Sequence, residues 1–342
     1  MGVDAGAGAL TRPRDLDEDD IRVRPGRGSR PRTRRRPAHE DAVEGFVASV
    51  DRGRYGVLVG DRTITAMRAR ELGRRGVVVG DQVALAGDTS GAPGTLARVV
   101  RVSPRATVLR RSADDTDPVE RVIVANADQM GIVCALADPP PRPRFIDRCL
   151  VAAYDAGLRP LLCLTKADLA SPDELLHAYA PLGIGYAVLG RPLDSSRLAP
   201  LRQHLEGRTS VLIGHSGVGK STLVNALIPD ADRAVGTVSP VTGRGRHTSS
   251  SAVALPLPGG GWIIDTPGLR GFGLGHVAPD RVVRAFTDLA PGTAACPPGC
   301  DHAQPDCALD DWVHDQGSDP RRAARLDSLR RLLRSRDGAE GW

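Results

Sequence analysis

The sequence predicts a multidomain α/β protein with three folded parts: an OB-like β-barrel, a P-loop α/β domain and a C-terminal helical region with a cluster of metal-ligand residues. Three observations support this prediction. Short segments of alternating hydrophobicity, separated by turns, fill residues 42–109, as in small barrels. Apolar runs alternate with amphipathic stretches from residue 122 onward, which is typical of a mainly parallel sheet flanked by helices. Four cysteine and histidine residues cluster between positions 296 and 307.

Composition is that of a globular protein. The chain has 342 residues, 41% of them hydrophobic, which is enough for two or three domains. No stretch approaches the roughly 18 to 20 apolar residues of a membrane span, and the first ten residues lack the pattern of a secretory signal. We therefore expect a cytoplasmic protein with no membrane partner. Three cysteines fall singly in apolar runs and are expected to be buried thiols: Cys134, Cys149 and Cys163.

Residues 1–38 are predicted to be a disordered tail. An acidic run from Asp15 to Asp20 precedes an arginine-rich stretch from Arg22 to Arg36, and neither can bury a core. A solubilising role remains an alternative, but this amount of arginine favours an anionic polymer as partner.

Residues 39–109 are predicted to form the barrel. An OB barrel, which commonly binds oligonucleotides, is favoured, and an SH3-like barrel remains an alternative. Phe46 and Tyr55 are its only aromatic residues, so recognition of an RNA backbone or shape is favoured over base stacking. The predicted strands are Val43–Val50, Tyr55–Val59, Thr63–Met67, Gln82–Ala86 and Leu96–Val102.

Residues 110–290 are predicted to form the P-loop domain, because GHSGVGKS at 214–221 matches GxxxxGK[ST] between an apolar strand and a helix. Backbone N–H groups of such a loop surround the β-phosphate. Lys220, one of only two lysines in the chain, would reach the β and γ oxygens, and Ser221 would ligate Mg²⁺. The predicted phosphate-binding residues are Gly214, His215, Ser216, Gly217, Val218, Gly219, Lys220, Ser221 and Thr222.

Asp265-Thr266-Pro267-Gly268 follows the apolar strand 262–264, about 45 residues after the phosphate loop. In this position Asp265 would hold the Mg²⁺ hydration shell and the Gly268 N–H would sense the γ-phosphate.

Thr165-Lys166-Ala167-Asp168 follows the strand 160–164 and resembles the guanine-specificity motif NKxD. A carboxylate at Asp168 would accept the N1–H and 2-amino donors of guanine, and the Lys166 stem would pack along the base. Thr165 replaces the usual asparagine, which predicts weaker anchoring of the loop and lower guanine affinity.

The guanine motif here precedes the phosphate loop, whereas in ordinary GTPases it comes last. This order indicates a circularly permuted P-loop GTPase. Together with the barrel and the C-terminal Cys/His cluster, it resembles the ribosome small-subunit-dependent GTPase family (RsgA/YjeQ) from about residue 40 to the C-terminal helix. Further matching segments are Asn126-Ala127-Asp128-Gln129, Gly245-Arg246-His247-Thr248 in the first switch and Gly268–Leu274 in the second.

The resemblance implies a GTP hydrolase that acts late in maturation of the small ribosomal subunit, docks near the decoding region and leaves after hydrolysis. It implies slow turnover alone and stimulation by the subunit. The partners would be the small subunit with its rRNA and GTP or GDP, bound by a monomer. One departure is Ala187-Val188-Leu189, which stands where a Ser-Ala base-contact motif is expected.

The catalytic residues are expected to be Lys220, His247 and Thr248. Ras-like enzymes place a water-orienting glutamine after DxxG, but here Leu269 follows Gly268 and cannot orient water. His247 lies in the first switch and could orient the water or stabilise developing charge. Thr248 would be the second Mg²⁺ ligand, after Ser221. A surface histidine in a mobile loop is the alternative for His247.

Residues 291–342 are predicted to bind one structural Zn²⁺ ion. Three thiols and an imidazole in a Pro- and Gly-rich turn suit a closed tetrahedral site, whereas three buried cysteines beside a surface histidine would need a core that this turn does not offer. The ligands would be Cys296, Cys300, His302 and Cys307.

A helix is predicted from Asp319 to Arg336, with four leucines on one face and arginines around the others. The arginines could be solvated or could contact rRNA phosphates. A net charge of +5, with arginine concentrated at both ends of the chain, favours an rRNA partner.

Two other functions remain open at this stage. A nucleotide-gated rRNA-binding scaffold would use GTP occupancy and hydrolyse it only incidentally, and it would lack a group that orients water. A permuted ATPase is disfavoured by Asp168.

Overall fold

The computed structural model describes residues 39–73, 76–112, 120–229, 252–266, 273–303, 307–315 and 319–336. The predicted N-terminal tail lies outside these ranges.

The first five strands form a closed barrel. They are paired in the order β1-β2-β3-β5-β4, and β4 pairs back to β1. All of these pairs are antiparallel except β3 with β5. This Greek-key connectivity is that of an OB barrel, so the SH3-like alternative is wrong. The strands are β1 (Val43–Asp51), β2 (Arg54–Val59), β3 (Arg62–Arg68), β4 (Gln82–Gly87) and β5 (Ala97–Val102).

Neither aromatic residue of the barrel is placed for base stacking. Tyr55 is buried in the barrel core, which also holds Val57, Ile64 and Leu85. Phe46 faces away from that core, toward the neighbouring α/β domain.

The connection between barrel and α/β domain is a small two-stranded sheet. β6 (Val108–Arg111) pairs antiparallel with β7 (Arg121–Ala125). Val124 also bridges to Val79 of the barrel.

The α/β domain contains five parallel strands in the order β10-β9-β8-β11-β13, with β12 antiparallel at the β13 edge. The sequence did not single out β12, a four-residue strand. The strands are β8 (Gln129–Ala135), β9 (Arg159–Thr165), β10 (Gly185–Leu189), β11 (Thr209–Ile213), β12 (Val253–Pro256) and β13 (Trp262–Asp265).

Helices cover the sheet. The longest of those next to it begins with Pro143, whose fixed φ suits the first helical turn, and is followed by Gly157 at φ +71°, a usual helix stop. In chain order the helices are α1 (Pro143–Asp155), α2 (Asp173–Tyr179), α3 (Ser195–Leu205), α4 (Lys220–Leu227), α5 (Pro279–Val283), α6 (Leu309–Asp315) and α7 (Pro320–Arg336).

The predicted C-terminal helix is α7, and its leucine face packs into the core of the α/β domain. Three of the arginines that the sequence left to solvent or rRNA make ion pairs within the protein. Arg325 makes a bidentate pair with Asp288, at 2.8 and 2.9 Å. Two others, Arg330 and Arg331, pair with Asp310 and Asp147.

Among the helices of the described ranges, none is long and apolar enough to cross a membrane.

Candidate functional site

The three nucleotide motifs follow the carboxyl ends of three strands of one sheet. The guanine motif follows β9, the phosphate loop follows β11, and Asp265 is the last residue of β13. Because these strands are parallel, their carboxyl ends lie at the same edge of the sheet. The permuted chain therefore assembles its motifs at one site.

The phosphate loop requires its glycines. Gly217 and Gly219 have φ of +82° and +89°, which disfavour other residues. A Cβ on Gly214 would lie 2.7 Å from the Val133 carbonyl oxygen, a clash with β8. After Gly219 the chain enters α4, whose first N–H groups face the loop as an anion site requires.

Lys220 points into this site. Its Nζ donates to Asp265 Oδ1 at 2.6 Å and to the Thr266 carbonyl oxygen at 3.2 Å. Phosphate oxygens would compete with these acceptors for the ammonium. Ser221 and Thr222 are exposed on the first turn of α4, so their hydroxyls are accessible to a ligand.

Thr165 joins the guanine motif to the phosphate loop. Its hydroxyl donates to the Val218 carbonyl oxygen at 2.6 Å, and Thr165 is only 6% exposed. The replacement of asparagine by Thr165 predicted weaker anchoring of the guanine-motif loop. The threonine nevertheless makes its own short hydrogen bond to the phosphate loop.

Asp168 is held as an ionised acceptor. The Arg191 N–H donates to its Oδ1 at 2.9 Å, and this bond lowers the pKa of the Asp168 carboxyl. Beside it, Lys166 adopts a φ of +58° and its Nζ contacts the Asp138 carbonyl oxygen. Asp168 is exposed and can therefore accept hydrogen bonds from a base.

A backbone group supports the Asp168 carboxylate where a Ser-Ala motif was expected. β10 ends level with the guanine motif, with Leu189 opposite Thr165, and Gly190-Arg191 then passes over Asp168. The Arg197 guanidinium donates to the Arg191 carbonyl oxygen at 2.8 Å and supports this turn. A sequence pattern for side chains could not find it, because the donor is a main-chain N–H.

His215 lies in the phosphate loop, and its ring packs against an aromatic side chain of the protein. Its ring centroid is 4.0 Å from that of Phe145, which is buried in the first turn of α1. Ser216, by contrast, is exposed.

His247, Thr248 and Gly268 lie outside the described residues. Their assignment therefore remains a prediction.

The Cys/His cluster forms a second site. Its four ligand atoms lie within 4.8 Å of one another. Cys296 Sγ is 3.8 Å from Cys307 Sγ and 3.6 Å from His302 Nδ1. Cys307 Sγ is also 3.8 Å from His302 Nδ1. Tetrahedral zinc with Zn–S of about 2.3 Å and Zn–N of about 2.0 Å separates its ligands by about 3.8 Å (S to S) and about 3.5 Å (S to N). The residues therefore fit Zn²⁺.

The surroundings of this cluster also suit a metal. His302 Nε2 is 3.5 Å from Asp280 Oδ1, the carboxylate–imidazole arrangement that orients metal-binding histidines. Burial raises the pKa of the Cys307 thiol to about 12, so a metal would displace a proton from it.

Residues 126–129, known from the sequence only as part of the family pattern, position the nucleotide strands. Asp128 Oδ2 accepts from the Thr209 N–H at 2.7 Å, at the start of β11. Gln129 Nε2 donates to Ser210 Oγ at 2.8 Å in the same strand. Asn126 connects to the barrel, because its Nδ2 donates to the Gly80 carbonyl oxygen at 2.9 Å.

Comparison with known proteins places this site in a family. Residues 102–275 match the family model described as RsgA GTPase. The chain is 40% identical over 245 residues to the small ribosomal subunit biogenesis GTPase RsgA of Ectopseudomonas mendocina, covering 69% of each chain. It is 38% identical over 285 residues to the protein of the same name from Gemmatimonas aurantiaca, covering 81% of this chain and 92% of that one.

Solved structures support the fold. YjeQ from Thermotoga maritima aligns with a TM-score of 0.61 and 24% identity, over 85% of this chain and 99% of that one. YloQ, described as a circularly permuted GTPase, aligns with a TM-score of 0.60 and 22% identity, over 90% of this chain and 99% of that one.

Proposed function

Because the chain belongs to the RsgA GTPase family, we propose that it is an enzyme that hydrolyses GTP to GDP and phosphate in the biogenesis of the small ribosomal subunit. The observation that carries this proposal is the joining of the three motifs. Thr165 bonds the guanine motif to the phosphate loop, and Asp265 reaches Lys220 from β13. These contacts would fix base recognition and phosphate binding relative to each other.

GTP would bind along the sheet edge. Asp168 would accept the N1–H and 2-amino donors of guanine, which adenine does not offer. Lys220 would exchange Asp265 for the β and γ oxygens. Mg²⁺, when bound with GTP, neutralises the charge on these oxygens, and Ser221 and Thr248 would ligate it.

Water is the attacking group, and we assign its orientation to His247. The DxxG motif is followed by Leu269, which has no hydrogen-bonding group in its side chain. An imidazole can accept from water or stabilise developing charge near pH 7. We further propose that turnover is slow alone and that the subunit stimulates it.

The partner would be the small subunit with its rRNA, bound near the decoding region late in maturation and released after hydrolysis. The outer barrel surface supports an RNA partner, because Arg54, Met67 and Arg98 are paired side by side across β2, β3 and β5 and are all exposed. The two arginines of this row, Arg54 and Arg98, suit contacts with RNA phosphates.

A structural Zn²⁺ ion, held by Cys296, Cys300, His302 and Cys307, would order the C-terminal region. The closed ligand set leaves no position for a substrate. We propose that the protein works as a monomer in the cytoplasm, where ribosomal subunits mature.

Phosphate release from GTP and ATP by the full chain tests the activity. We expect GTP to be preferred, and Lys220→Ala to lower turnover by about a hundredfold or more because a charge aimed at the transferred phosphate is lost. Thermal unfolding of the variant should stay close to that of the wild type. Normal turnover by folded Lys220→Ala would contradict the assignment of the phosphate loop.

A further inference from the structure

The barrel and the strand that carries Asp265 are directly connected. On one side, β1 of the barrel pairs with β12 through Ser49 and Val253. On its other edge β12 pairs with β13, where Val253 lies opposite Asp265. Ser49, Val253 and Asp265 therefore lie side by side across three strands, about 10 Å from first to last at the usual strand spacing.

An aromatic contact reinforces this pairing. The rings of Phe46 on β1 and Trp262 on β13 have centroids 4.9 Å apart at an angle of 33°. Both side chains are half-buried, and Phe46 points out of the barrel core. Aromatic pairs at this separation attract each other beyond their buried area. β12 and β13 are consecutive antiparallel strands and form a hairpin. We call Phe46, Ser49, Val253 and Trp262 the barrel–hairpin junction.

The end of β13 is a sensitive position for catalysis. Asp265 Oδ1 lies 2.6 Å from Lys220 Nζ, and the next residue is tied to β11, because Thr266 Oγ1 donates to the Leu212 carbonyl oxygen at 3.1 Å. A small displacement of β13 would change how strongly Asp265 competes with phosphate for Lys220.

The barrel has a second attachment on the opposite side of β11. There Asn126 bonds to Gly80 of the barrel and also accepts from the Ala106 N–H at 2.8 Å. A Cβ on Gly80 would lie 1.9 Å from the Ala125 carbonyl oxygen, so this attachment is tightly packed. Within the described residues, the strand pairing that links the barrel to the β13 side of the sheet is the one between β1 and β12, at the barrel–hairpin junction.

We propose that the barrel–hairpin junction couples binding on the barrel to the Lys220–Asp265 pair, and that Phe46 and Trp262 are positioning residues for subunit-stimulated hydrolysis. This inference rests on the proposed function, because it assumes that the barrel contacts the small subunit. Binding of the subunit to the barrel surface displaces β1, and the Phe46–Trp262 contact transmits this displacement to β13. β13 carries the Asp265 carboxylate. Neither aromatic residue belongs to the phosphate loop, the DTPG segment or the guanine motif.

The test compares Phe46→Ala with the conservative Phe46→Leu and with a matched control, Tyr186→Ala. Tyr186 is an aromatic residue, 52% exposed, on the far edge strand β10. For each variant we would measure basal GTP turnover, the dissociation constant for the subunit, and turnover at saturating subunit. Phe46→Ala should lower the ratio of stimulated to basal turnover by about two- to thirtyfold, the usual range for coupling residues. Its basal rate and subunit affinity should stay near wild type, as should every value for Tyr186→Ala, and Phe46→Leu should restore most of the ratio.

An unchanged ratio in folded Phe46→Ala would overturn the proposal. So would a loss of subunit affinity with a normal ratio at saturation, because the contact would then serve docking alone. If wild-type protein shows no stimulation at all, it is the proposed function that fails.

A second measurement needs no ribosome. Coupling between two sites is reciprocal, so nucleotide binding at Lys220 must change the environment of the residues at the barrel–hairpin junction. The double variant Trp312→Phe, Trp342→Phe leaves Trp262 as the only tryptophan. Its fluorescence should change when a non-hydrolysable GTP analogue with Mg²⁺ is added, and Phe46→Ala should reduce that change. Emission that does not respond to the analogue would overturn the coupling even if the enzyme is active.

Discussion

Replacing Thr165 by valine removes one hydroxyl and keeps the shape of the side chain. In the structure that hydroxyl donates to the Val218 carbonyl oxygen at 2.6 Å, inside a region where Thr165 is 6% and Val218 5% exposed. Loss of a hydrogen bond between buried groups typically costs about 1 to 3 kcal/mol. Part of this cost will appear as lower stability of the protein.

The rest should appear in nucleotide affinity. Thr165 joins the loop that we propose reads the base to the loop that we propose holds the phosphates, and a nucleotide would engage both at once. If about 1 kcal/mol of the free energy of this hydrogen bond stabilises the two loops in the binding geometry, loss of the bond weakens nucleotide binding about fivefold. We therefore expect the dissociation constant of GDP to rise about five- to tenfold in Thr165→Val.

Titration with a fluorescent GDP analogue measures this constant, and thermal unfolding of the same samples separates affinity from stability. Thr165→Ser keeps the hydroxyl and should bind within about twofold of wild type. Thr165→Asn tests whether the usual residue of the motif anchors the loop better. Wild-type affinity in folded Thr165→Val would refute the view that this bond sets the geometry of the site.

The remaining predictions concern the base, the metal and the attacking water. Asp168→Asn should lose discrimination between GTP and xanthosine triphosphate, because the amide no longer accepts both guanine donors; unchanged discrimination in competition binding would argue against this role. Protein purified without chelator should contain about one equivalent of zinc, and its removal should lower the stability of the C-terminal region, since metal binding is coupled to local folding; elemental analysis that finds no zinc would rule the site out. His247→Ala should keep GTP binding, subunit association and the slow basal rate but lose most stimulated turnover; if stimulation survives, another group orients the water, with Arg246 or an rRNA group the next candidates.

Much of the fold could be predicted because its signals are local. The strands of the barrel alternate in hydrophobicity, and the phosphate loop has a fixed spacing between a strand and a helix. The order of the motifs then revealed the permutation, and similarity to YjeQ and YloQ supports it. The Cys/His cluster lies within a dozen residues, so its chemistry was also visible in the sequence.

What could not be predicted depends on partners distant in the chain. Thr165 and Val218 are separated by 53 positions, so only the folded chain shows that the threonine anchors the loop. The arginines of α7 looked like a basic surface, yet Arg331 pairs with Asp147, 184 positions away. Phe46 was a barrel aromatic in the sequence and became part of the junction with β13 only in the structure.

The most direct test of the central claim is GTP turnover by the full chain with and without purified small ribosomal subunits, with ATP as the control substrate. The account predicts slow GTP hydrolysis alone, a clear acceleration by small subunits, and little hydrolysis of ATP in either condition. GTP binding with no hydrolysis above background, even at saturating subunit, would contradict it and would instead indicate a nucleotide-gated rRNA-binding scaffold.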